Sequence, residues 1–187
     1  MTLLLFTVAA GVAVGYLRGG RLRNLASVRL RAIWLVFAAV GAQAALALLV
    51  RAGIPGSVVA VPLLGLSQLL LLSFLWANRM LPGMLLVFLG FAMNAAVIVA
   101  NGGMPVDEEA LRAVATGPSD FAAGKHRLLR PGDPLPLLAD VIALPPLVVV
   151  VSAGDVVLAA GVAILLSDLM LRHPPQPGRR ARRGSGA

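Results

Sequence analysis

The chain has 187 residues, of which 59% are apolar and 13% charged, with a mean hydropathy of +0.90. A water-soluble domain carries about 25% charged residues, and a chain this apolar cannot fold in water without large exposed apolar patches. A soluble enzyme, a disordered chain and a coiled coil are therefore excluded, and an integral membrane protein remains.

In chain order, the first apolar segment is Thr2–Leu17. It has no basic residue before its apolar run, and Arg18, Arg21 and Arg23 follow it. This is the pattern of a retained helix with its N-terminus outside, not of a cleaved signal peptide. Gly11, Gly15 and Gly19 recur four apart and form a flat stripe suited to helix packing. The next spans are expected at residues 32–50, 57–77 and 81–100, none with an acidic or basic residue inside its limits. Twenty residues of helix cover about 30 Å, the hydrocarbon thickness. In lipid the backbone must satisfy its own hydrogen bonds, so these segments are helices.

The last third is apolar but broken by Asp140, Pro145–Pro146 and Ser152–Asp155. A span through Asp140 would place a carboxylate in hydrocarbon at a cost of about 2.5–3.5 kcal/mol, and the Pro pair would break its helix. Ser152-x-x-Asp155 reads as a helix start, with a hydroxyl accepting from a free N–H and an acid in the first turn. The fifth span is therefore expected at 153–171, and Asp168 with Arg172 is expected to pair one turn apart near its end.

Counting basic residues orients the bundle. With five spans and the N-terminus outside, Arg18, Arg21, Arg23, Arg29, Arg31, Arg79, Arg172, Arg179, Arg180, Arg182 and Arg183 lie inside, and Arg51, Arg112, Lys125, Arg127 and Arg130 outside. That bias of 11 to 5 follows the positive-inside rule. It also accounts for the net charge of +8 without nucleic acid, which is not an expected partner. Residues 173–187, rich in Arg, Pro and Gly, are expected to be a disordered basic tail near anionic lipid. The fold class expected is thus an all-α integral membrane protein, one transmembrane domain over residues 1–172. Its five helices carry a long outer loop, residues 101–152, with a short helix at Pro105–Ala115 and a lid or re-entrant segment at Leu135–Val151.

The outer loop is where a site is expected, because long loops in compact proteins are commonly functional. Asn94 and Asn101, seven apart, share the face of the fourth helix that leads into it. Ser152 and Asp155 open the fifth helix at the same side, and Lys125, His126 and Asp140 lie between them in sequence. These seven residues are the candidate ligand-binding set. Gln43, Gln68 and Asn94 lie inside spans, where amides serve first as bonds between helices. The chain has no Cys, and its two His fall on opposite sides, so neither a metal site nor a resident cofactor is expected.

The run Asn101-Gly102-Gly103-Met104-Pro105-Val106, then Lys125-His126, Leu138-x-Asp140-Val141-Ile142-x-x-Pro145 and Ser152-x-Gly154-Asp155 resembles an uncharacterised family of small bacterial multi-pass membrane proteins, domain of unknown function 5317. The segment Arg18-Gly19-Gly20-Arg21-Leu22-x-Asn24-Leu25 fits the same family. The resemblance implies that Ser152–Asp155 opens the last span, and it implies no catalytic role. The Val148–Val151 run departs from the loop-like stretch the family leads one to expect there. With 15 Arg against one Lys, the composition also suits a GC-rich bacterium and its cytoplasmic membrane.

Three classes of function follow. A binder, or transport component, for a small or lipid-like ligand at the outer face accounts for the apolar lid and the polar mouth. An accessory or assembly subunit with a membrane-protein partner accounts for the small-residue helix faces. A membrane enzyme would have to work through His126 and the outer aspartates, as general acid and base, and no nucleophile or phosphate loop supports it.

Overall fold

The computed structural model describes residues 2–114 and 126–172. Most of these are helical. Four helices are long and apolar enough to cross a membrane: α2 (Trp34–Arg51), α3 (Gly56–Ala77), α4 (Met84–Asn101) and α6 (Ala153–Leu171). The first helix, α1 (Thr2–Leu17), is apolar but has 16 residues, about 24 Å of rise. Apolar side chains cover the outer surface of these helices, with Leu17 87% and Val61 78% exposed. Such a surface is compatible with insertion in a membrane and not with water.

α6 packs between α1 and α4, whereas α2 and α3 form a hairpin that meets the rest through α3 and α4. Glycine permits the α4–α6 contact. A Cβ at Gly90 would stand 2.5 Å from the Gly154 carbonyl oxygen, and one at Gly161 would stand 2.6 Å from the Val87 nitrogen. Gly83 and Gly90 are thus seated against Gly161 and Gly154, two heptad-spaced pairs on antiparallel helices. α1 runs parallel to α6, with Gly11 against Ala163 and Gly15 against Met170. At Gly19 a Cβ would meet nothing, and the residue instead supplies a turn, at φ +83°. In the hairpin, Gln43 donates to the buried Ser67 hydroxyl at 2.7 Å.

Two of the long helices start two or three residues later than the sequence leads one to expect. α2 begins at Trp34 rather than residue 32, because Ala32 has φ +52° and Arg31 is held by Asn78. α4 begins at Met84 rather than residue 81, because Gly83 has φ +78°, a conformation that does not propagate a helix.

One end of the bundle carries the turn after α1, a 3-10 segment Leu22–Ser27, and the C-terminal end of α6. The other end carries a cap whose described residues are 102–114 and 126–152. In it β1 (Met104–Val106) pairs in parallel with β2 (His126–Leu128). On the other edge of β1, Asp140 forms a bridge to Val106. The short helix α5 (Glu108–Val114) starts later than expected, because Met104–Val106 is strand and Asp107 caps the helix, accepting from the Ala110 N–H at 2.9 Å. Leu135–Val151 contains no α-helix. It makes a 3-10 turn at Pro136–Leu138, then β3 (Ile142–Leu144), a 3-10 turn at Pro145–Leu147 and β4 (Val149–Val151), which pairs back on β3. The Val148–Val151 run is therefore mostly strand. α5 lies against this hairpin, and the Pro136–Leu138 turn touches α4 and α6. Lys125 and the basic tail at 173–187 lie outside the described residues.

Candidate functional site

The cap end brings α4, α6 and the cap together. Ser152 takes an extended conformation and its hydroxyl accepts from the Asp155 N–H at 3.0 Å. Asp155 returns the favour, its carboxylate accepting from the Ser152 N–H at 3.2 Å. This is a capping box, in which two donors at a helix start are satisfied within four residues. The helix start is thus partly filled from within the chain, which reduces the opening for an anion that its sequence suggests. Asn94 of α4 completes the arrangement across the helix interface. Its side-chain N–H donates to Asp155 at 2.7 Å, and its oxygen accepts from the Ser152 hydroxyl at 2.9 Å. Ser152 is 0% exposed. Gly154 is what permits the closeness, because a Cβ there would overlap the Asn94 side chain.

Asp140 sits beside this ring. Its backbone is held along β1, with its N–H donating to the Pro105 carbonyl at 2.9 Å and its carbonyl accepting from the Asp107 N–H at 2.9 Å. The residue is 6% exposed. Burial, and secondly the charge of Asp155, raise its carboxyl from 3.8 to about 7. The cap end thus holds a carboxyl able to change charge near neutral pH, next to a second carboxylate wired to α4.

Of the seven candidate residues, Asn94, Ser152, Asp155 and Asp140 come together. Asn101 stands two turns beyond Asn94 and holds the cap, donating to the Pro134 carbonyl at 2.9 Å. The His126 backbone pairs with Met104 on the far edge of β1 from Asp140. Lys125 falls outside the described residues. Among the described residues, no group of three His, Cys, Asp or Glu could hold a metal ion.

The sequence reading missed three structural residues. Asn24 and Asn78, both buried, tie loops to helix ends, and no local pattern marks them. Gly90 had a signal: Gly83 and Gly90 are seven apart, as are Gly154 and Gly161.

Residues 27–167 match the model of a family described as a family of unknown function, DUF5317. No curated protein and no solved structure matches the chain.

Proposed function

The chain belongs to this family of unknown function, and we propose that it is a five-span protein of the bacterial cytoplasmic membrane that binds a small or lipid-like ligand at its outer face. The observation that carries the reading is the convergence of Asn94, Ser152, Asp155 and the buried Asp140 at the cap end. α1 counts as the fifth span because Gly11 and Gly15 seat it against α6 at the same depth. The cap presents exposed apolar side chains, Leu137 at 84% and Val148 among them, which suits an occupant with an apolar part. Asn94 and Asp140 would contact its polar end. Transport would require this mouth to connect with the other side.

The test uses a fluorescent fatty acid and a fluorescent lysophospholipid, titrated into the detergent-solubilised protein. Binding that weakens at least tenfold in Asn94→Leu and in Asp140→Asn, with both variants still melting cooperatively, supports the outer site. Equal binding by all three proteins, or none by the wild type, removes it. The second reading, an accessory subunit, is favoured by one observation: Asn94, Ser152 and Asp155 bond to one another, as structural groups do. Co-purification of one stoichiometric membrane protein, with neither probe bound, would select it.

A further inference from the structure

At the end opposite the cap, the segment from Arg18 to Trp34 is pinned at two points. The Arg21 N–H and the buried Asn24 side chain both donate to the Met170 carbonyl, at 2.9 and 2.6 Å. Further on, Asn78 clamps Arg31 from both sides, accepting its N–H at 2.8 Å and donating to its carbonyl at 2.9 Å. Between and beside these pins, Arg21, Arg23, Arg29 and Arg31 are all exposed. Among the described residues none of the four has a carboxylate partner. Among the described residues the one acid at this end, Asp168, is bonded to Arg172 at 3.1 Å. Exposed apolar side chains, Leu22, Leu30, Ile33 and Trp34, alternate with these arginines. The one Tyr and both Trp of the chain, Tyr16, Trp34 and Trp76, lie exposed at this same end, and Arg79 stacks over Trp76 at 4.4 Å.

An aromatic belt marks the level of lipid headgroups. An orientation signal needs only a count of charges, and a mobile loop would supply it. Here the backbone is bonded at both ends of the segment, and among the described residues the four guanidinium groups have no carboxylate partner, so neither a backbone rearrangement nor the breaking of an ion pair is needed when phosphates arrive. We infer that the Arg18–Trp34 segment is a preformed shelf for the phosphodiester headgroups of anionic lipids, with Arg21, Arg23, Arg29 and Arg31 as its ligands. Leu22, Leu30 and Trp34 reach the acyl region below. The shelf lies at the opposite end from Asn94 and Asp140, so it stands or falls separately from the outer site.

The test reads the two tryptophans of this end. The protein is reconstituted in phosphatidylcholine vesicles that contain either brominated phosphatidylglycerol or brominated phosphatidylcholine at equal mole fraction. Bromine quenches tryptophan at close range, so lipid enriched at the shelf quenches more. Each arginine near an anionic surface contributes about fivefold in affinity. Stronger quenching by phosphatidylglycerol is expected, lost when Arg21, Arg23, Arg29 and Arg31 are all changed to Gln and retained in Arg51→Gln at the other end. Should the quadruple variant fail to fold, the four single Arg→Gln variants are read instead, and each is expected to lower the preference severalfold. Equal quenching by the two lipids overturns the shelf, as does a preference that survives the substitutions. Displacement of the phosphatidylglycerol effect by millimolar inorganic phosphate would make it a free-phosphate site, and displacement by RNA or an acidic peptide a docking site for a soluble polyanion. Either result also overturns the lipid assignment.

Discussion

At the scale of single residues, Asp140 is the group with the clearest consequence. In the folded chain its carboxyl titrates at about 7 rather than 3.8, chiefly because it is buried. Between those values the folded protein holds a proton that the unfolded chain has released. Stability is therefore greatest in acid, falls as pH rises through that window, and is level above it. The penalty is at most on the order of 4 kcal/mol, less whatever solvent screens. Asp140→Asn cannot ionise, so it is expected to melt higher than the wild type at pH 8 and to differ little at pH 4, measured by thermal unfolding in detergent. A wild-type slope that persists in the variant would assign the titration to another group. The carboxyl was legible in the sequence as one that must avoid hydrocarbon. Its burial under β1 was not, because that depends on a bridge to Val106, 34 positions away.

At the scale of elements, the α4–α6 contact rests on glycines that leave no room for a side chain. Gly154→Ala would drive a Cβ into Asn94, and overpacking of this kind costs about 1–3 kcal/mol. A Cβ added at Gly41 of α2 would meet nothing within 4 Å outside its own helix. Gly41→Ala is therefore expected to be neutral or to stabilise by up to about 1 kcal/mol, from helix propensity alone. Melting temperatures of the two variants should move in opposite directions, or only the first should move. If Gly154→Ala is silent, the helices are not as close as the structure has them. The start of α6 shows what an element discloses locally: Ser152 and Asp155 form their box within four residues, so the sequence carries it whole. The starts of α2 and α4 were misplaced by two and three residues, because left-handed residues at Ala32 and Gly83 delay them. A positive φ at Ala32 has no signature in composition.

At the scale of the molecule, the two ends differ in charge. Among the described residues, Arg18, Arg21, Arg23, Arg29, Arg31, Arg79 and Arg172 stand with Asp168 at one end, whereas at the other Arg51, Arg112, Arg127 and Arg130 are mixed with Asp107, Glu108, Glu109, Asp133, Asp140 and Asp155. The proposed topology puts the arginine end in the cytoplasm and the cap outside. The chain has no Cys, so a single introduced thiol reports its own side. Glu109→Cys is expected to react with an impermeant reagent in intact cells, and Ala26→Cys only after the membrane is opened. Reaction of both from the same side would end the five-span arrangement.

By itself the sequence determined the helices. Apolar runs of helix length between arginines form helices compatible with insertion in a membrane, and each run is read within its own residues. It also determined the start of α6, because a capping box is a contact between near neighbours. Only the tertiary structure decided which helices touch, that Asn94 closes a ring with Ser152 and Asp155, and that Asn24 and Asn78 bond the arginine segment to the ends of α6 and α3. Helices that are apolar on every side carry no pattern that selects a neighbour, so partner choice falls to glycine fit and to lone polar side chains. Those contacts join residues about 50 to 150 positions apart, and nothing in the local sequence specifies them.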